Sequence, residues 1–80
     1  MTKRVLRLYL RGDCQLCDDM KEQLKSVQDE MGFDFESHDI DRSEEMRIKF
    51  NEHVPILMWG RDVICYHQLD KPALTKALGI

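Results

Sequence analysis

Long apolar runs are missing. No stretch of the 80 residues approaches the ~18 apolar residues that a membrane-crossing helix needs, so no membrane span is expected. Basic clusters are missing too: 12 Lys and Arg lie scattered among 15 Asp and Glu, for a net charge of −3. That balance argues against a nucleic-acid partner, which would require a basic patch or stripe. Cysteine is scarce and odd in number. The three residues Cys14, Cys17 and Cys65 cannot all pair as the disulfide framework of a small secreted domain. Thr2-Lys3-Arg4 imitates the charged start of a signal peptide, but Arg7 interrupts the apolar stretch behind it and no cleavage region follows. The expectation is a cytoplasmic protein, in a compartment that keeps thiols reduced, whose cysteines are chemical rather than structural. With no repeat, linker or low-complexity tract, residues 1–80 read as a single domain with a modest core, expected as a monomer.

What is present gathers around Gly12-Asp13-Cys14-Gln15-Leu16-Cys17-Asp18-Asp19. Before it, Val5 to Leu10 alternates, with Leu6, Leu8 and Leu10 on one face and Val5 and Tyr9 on the other, which predicts a strand. After it, Cys17, Met20, Leu24, Val27 and Met31 recur at helical steps. Cys14 therefore falls in the first helical turn, where unpaired N–H groups and the positive end of the macrodipole favour an anion. A thiolate is such an anion and is the reactive form of cysteine. Cys17, on the core-facing stripe, is the recessed sulfur. The spacing supplies one exposed nucleophile and one sheltered partner able to close a disulfide.

Further along, Gly32 stops the helix, and Phe33 and Phe35 alternate with acids in a half-exposed edge strand. A strand, a helix and a strand make a βαβ unit, so the two strands should be parallel. Asp39 to Ser43 reads as a polar connection. Asp41 and Glu44 have capping-box spacing there, with Ser43 as the alternative cap of a short helix carrying Met46 and Phe50. Val54-Pro55 opens an apolar run to Trp59. Gly60 then suits a tight hairpin, and Val63 to Tyr66 returns as a strand expected inside the sheet, with Cys65 buried in it. A last helix starts near Asp70, with Pro72 in its first turn, Leu74, Ala77 and Leu78 on its buried side, and Gly79 at its end. The order β-α-β-α-β-β-α predicts an α/β fold, a four-stranded mixed sheet with helices on both faces.

A Cys-x-x-Cys at the start of the first helix, followed one βα unit later by Val54-Pro55 ahead of a hairpin, resembles the thioredoxin superfamily. The short length and the Asp-Cys-Gln-Leu-Cys-Asp run are most similar to small bacterial glutaredoxin-like domains, over roughly residues 4 to 78. The resemblance implies a thioredoxin-like fold and a dithiol thiol–disulfide oxidoreductase. Cys14 would be the attacking thiol, Cys17 the resolving thiol and Pro55 a cis-proline facing them. It also implies substrate binding through the backbone of Val54, with Arg11 and Asp70 matching the basic and acidic residues that hold glutathione. Val63 to Leu69 contains no Gly-Gly pair, and Gln15-Leu16 stands where dithiol glutaredoxins carry Pro-Tyr. The expected partners are a disulfide-containing protein or low-molecular-weight thiol and a thiol reductant system. Glutathione is an implied co-substrate, and no cofactor is expected to be tightly bound.

Two other readings of the motif stay open at this point. The Cys-x-x-Cys pair could bind a metal, or an iron–sulfur cluster bridging two chains, although structural zinc wants four ligands and no second matched pair exists. Alternatively the fold could serve as a non-catalytic binding module that uses the Val54-Pro55 edge. Asp18, four residues beyond Cys14, places a carboxylate one turn from the sulfur and should temper the thiolate stabilisation. His38, His53 and His67 are separately placed and read as surface histidines, with a substrate contact as the alternative for His53, which precedes Val54-Pro55.

Overall fold

The chain runs β1 (Arg4–Leu10), α1 (Gln15–Met31), β2 (Phe33–Asp39), α2 (Glu44–Phe50), β3 (Ile56–Trp59), β4 (Asp62–Tyr66) and α3 (Lys71–Leu78). The computed structural model describes residues 4–80, so Thr2 and Lys3 of the signal-like start lie outside the described residues. The sheet has four strands in the order β2-β1-β3-β4. β1 and β2 are parallel, whereas β1–β3 and β3–β4 are antiparallel. This is the α/β, four-stranded mixed sheet that the element order predicts, in the thioredoxin-like arrangement that the resemblance implies.

Period-2 patterning places β1 at the centre. Leu6 and Leu8 are fully buried on one face and Tyr9 is buried on the other. The row Leu8–Leu57–Cys65 crosses three strands and joins Met20, Leu24 and Val27 of α1 with Leu74 and Leu78 of α3 in the main core. On the opposite face Tyr9, Ile56 and Val54 pack with Phe50 of α2, Ile40 and Cys17. Tyr9 is stacked between His38, at 5.5 Å, and Phe50, at 4.4 Å. Phe33, fully buried at the start of β2, is a ring whose removal typically costs about 3–5 kcal/mol.

α1 ends where Gly32 turns to φ +73° and its N–H reaches the Gln28 carbonyl at 2.9 Å. A side chain in that left-handed conformation would be strained. α3 is capped by Asp70, whose Oδ1 accepts the Ala73 N–H at 3.1 Å.

Three local expectations are corrected. The polar connection after β2 hides Ile40, which is fully buried. There, Ile40–Arg42 forms a 3-10 turn with Asp39 accepting the Asp41 N–H at 2.9 Å. That turn delays α2, so Ser43 rather than Asp41 caps it, its Oγ accepting the Met46 N–H at 3.3 Å. Finally, β4 is an edge strand, not an inner one. Cys65 is nonetheless buried, because its face of the sheet packs in the core that α1 and α3 cover.

Candidate active site

Cys14 is the N-cap of α1, with extended backbone at φ −151° and ψ 106°. Its carbonyl accepts the Asp18 N–H at 3.2 Å, the first bond of the helix. Its Sγ accepts the Cys17 N–H at 3.1 Å. Sulfur thus fills the role that a Ser or Asp oxygen usually fills at a cap. Residues 14 and 17, three apart at one turn, are brought to a Cα–Cα separation of 5.2 Å and joined as a disulfide. The two sulfurs differ in setting. Cys17 is fully buried among Tyr9, Ile40, Phe50 and Val54, whereas Cys14 is half-buried at the margin of that cluster.

The charges around the pair come mainly from acids. Asp13, Asp18 and Asp19 are exposed, and Gln15 donates to Asp19 at 2.9 Å. Arg11, expected to receive an anionic substrate, is engaged instead by Asp41, with Nε at 3.3 Å and Nη2 at 3.1 Å from one carboxylate oxygen. Asp70 is engaged as the cap of α3. Burial pushes the Cys65 thiol above the ordinary cysteine range; the Asp70 N–H opposes that shift and the nearby carboxylate reinforces it.

Val54 and Pro55 immediately precede β3, are both buried, and are joined by a cis peptide bond. Val54 shares its cluster with Cys17, so this segment lies against the recessed side of the sulfur pair. The residue that sequence reasoning missed is His67. Its N–H donates to the Pro55 carbonyl at 2.8 Å, and its ring Nδ1 lies 3.2 Å from the Val54 carbonyl. The available signal was weak: a histidine just past a strand, in a segment where the resemblance wanted glycine. His67 does adopt a positive φ, of 64°. His53, Tyr66 and His67 also gather, with ring centroids 5.9 to 6.4 Å apart.

Among the described residues no three His, Cys, Asp or Glu side chains converge as a metal-ligand set. Cys65 sits in the core on the other face of the sheet from Cys17. No helix among the described residues is long and apolar enough to cross a membrane.

Residues 5–79 match the family described as the glutaredoxin-like domain (DUF836). The chain belongs to that family. Solved structures share the fold. One is the solution NMR structure of protein Ne2328 from Nitrosomonas europaea, with a TM-score of 0.84 and 28% identity over 96% of this chain and 93% of that one. Another is described as a malarial protein, with a TM-score of 0.63, 20% identity and the same coverage of both chains, a likeness of fold alone. No curated protein matches the chain. A glutaredoxin-like domain with its Cys14–Cys17 pair at bonding distance supports a thiol-redox role.

Proposed function

We propose that this glutaredoxin-like domain is a dithiol thiol–disulfide oxidoreductase. The observation that carries the reading is the asymmetry of the Cys14–Cys17 pair: one sulfur half-exposed at a helix N-terminus, the other fully buried one turn on. Cys14 thiolate attacks a substrate disulfide R–S–S–R′, forming the Cys14–S–S–R bond as R′–S⁻ leaves and takes a proton from solvent. Cys17 thiolate then attacks the Cys14 sulfur, the mixed disulfide breaks, and R–S⁻ leaves. The substrate gains two electrons and the protein is left with its internal disulfide, which a thiol reductant system must reduce again.

The scaffold favours both steps. The Cys17 N–H and the 17-residue helix behind it stabilise negative charge on the Cys14 sulfur. Burial of Cys17 keeps it from competing for external disulfides while one helical turn keeps it within reach.

In this reading Val54 offers its backbone to an extended substrate, as in strand addition, with Pro55 fixing the segment against the sulfur pair. Arg11 serves a substrate carboxylate once released from Asp41, and Asp70 orders the start of α3. The substrate is a disulfide-containing protein or a low-molecular-weight thiol disulfide, with glutathione as a co-substrate and no tightly bound cofactor. The domain works as a monomer in the cytoplasm. The test is trapping. Cys17→Ser should accumulate a mixed disulfide at Cys14, seen as a mass adduct reversed by reductant, and Cys14→Ser should form none. Equal adduct formation on both variants would remove the assigned order of attack.

A further inference from the structure

His67 is fixed by its backbone and its ring together. Its φ of +64° lies in the left-handed region that side-chain-bearing residues seldom adopt. Its own N–H takes the Pro55 carbonyl at 2.8 Å. Its ring Nδ1 lies 3.2 Å from the Val54 carbonyl. A carbonyl oxygen only accepts, so Nδ1 carries the proton and donates. One residue thus satisfies two consecutive carbonyls of the segment that packs beside Cys17.

His67 also borders a cavity of about 300 Å³ with Leu16, Asp19 and Gln23 of α1. Leu16 is one of the two residues between the cysteines, and it is 42% exposed. His67 therefore borders both the first turn of α1, which carries the Cys-x-x-Cys pair, and Val54-Pro55, and is tied by hydrogen bonds to the second.

We propose that His67 is a positioning residue of the dithiol site, acting through Val54-Pro55; this rests on the oxidoreductase reading above. By holding the Val54 carbonyl and the segment that bears it, His67 orders the docking backbone before substrate arrives. Ordering done in advance is not charged against binding. The residue touches neither sulfur chemistry nor the electron balance, so it should affect binding of the substrate chain and leave the thiol itself unaltered.

The variants separate ring from backbone. His67→Gly relieves the left-handed conformation and deletes the ring. His67→Asn tolerates that conformation and sets a carboxamide N–H where Nδ1 stood. With a peptide disulfide as substrate, His67→Gly should raise KM about fivefold, the worth of one hydrogen bond. Its kcat and its rate of Cys14 alkylation by iodoacetamide should stay within about twofold of wild type on the same scale. His67→Asn should recover most of the KM. Ring nitrogen shifts by NMR should show the neutral ring protonated at Nδ1. A wild-type KM in His67→Gly, or a ring protonated at Nε2, overturns the role of His67 alone. A wild-type protein that reduces no disulfide defeats the oxidoreductase reading itself.

Discussion

The backbone N–H of Cys17 donates to the sulfur of Cys14 across 3.1 Å, so the first cysteine caps the helix that carries the second. In the disulfide this is a weak bond to a neutral acceptor. On reduction to the thiolate it becomes charge-assisted, and such bonds are roughly twice as strong. Reduction thus strengthens the helix start and, in the proposed reaction, favours the thiolate form of Cys14.

Asp18 works against that stabilisation, being the residue whose N–H bonds the Cys14 carbonyl and whose exposed carboxylate sits one turn from the sulfur. Asp18→Asn should shift the midpoint of the Cys14 alkylation-rate profile to lower pH, because it removes a like charge near the thiolate. The measurement is iodoacetamide reactivity of the reduced protein from pH 5 to 9. An unmoved profile would mean that the carboxylate and the thiolate are not coupled.

Arg11 and Asp41 form an exposed pair, so the bond itself should contribute under about 1 kcal/mol to stability. Its effect on substrate choice is larger in this account. Asp41→Asn frees the guanidinium of Arg11, three residues before Cys14, and should accelerate reaction with the anionic disulfide of glutathione a few-fold, with the gain vanishing at high salt. Stopped-flow rates at two ionic strengths decide it; a gain that persists in ~1 M salt would point away from charge.

Cys65 should behave as a core residue. Its thiol is pushed up by burial, so alkylation at neutral pH should be far slower than at Cys14. The linkage sign follows. Above the ordinary thiol pKa the unfolded chain loses its Cys65 proton while the folded chain keeps it, so the unfolded state gains. Stability should therefore fall as pH rises from about 8.5 through the raised folded value. Urea unfolding of Cys65→Ala should be less stable at pH 7 yet lose less between pH 8 and 10. Parallel pH curves for wild type and variant would contradict this.

Asp70 carries two expectations, a helix start from the residue pattern and a glutathione contact from the resemblance. As the cap of α3, its replacement by Ala should cost about 1 kcal/mol, whereas Asn should retain the cap. If Asp70 also holds the glutathione amine, Asp70→Asn should slow glutathione-dependent turnover while leaving the urea midpoint in place. Equal turnover in Asp70→Asn and wild type would leave Asp70 as a cap alone.

Much of this was legible in the sequence because periodicity and punctuation agree with each other. Leu6 and Leu8 against Tyr9, the Cys17–Met20–Leu24–Val27 stripe, and the stops at Gly32 and Gly79 each appear where the pattern put them. The failures share one cause, tertiary context. Ile40 sits among polar residues, yet the fold turns it into the core. β4 has the apolar content of an inner strand and lies at the edge, where helices rather than a further strand bury Cys65. The partners of Arg11 and the clasp of His67 on Val54-Pro55 join residues 30 and 13 positions apart. No local pattern encodes such meetings, and the left-handed turn at His67 carries no glycine to announce it.

The most direct test of the account is the midpoint potential of the Cys14–Cys17 couple, read by thiol alkylation and mass spectrometry across a glutathione redox series. The expected result is one reversible two-electron transition confined to these two cysteines, with a midpoint between about −180 and −270 mV, the range from protein disulfide isomerase to thioredoxin. A pair that stays reduced throughout the series, or that oxidises only through Cys65, would contradict it.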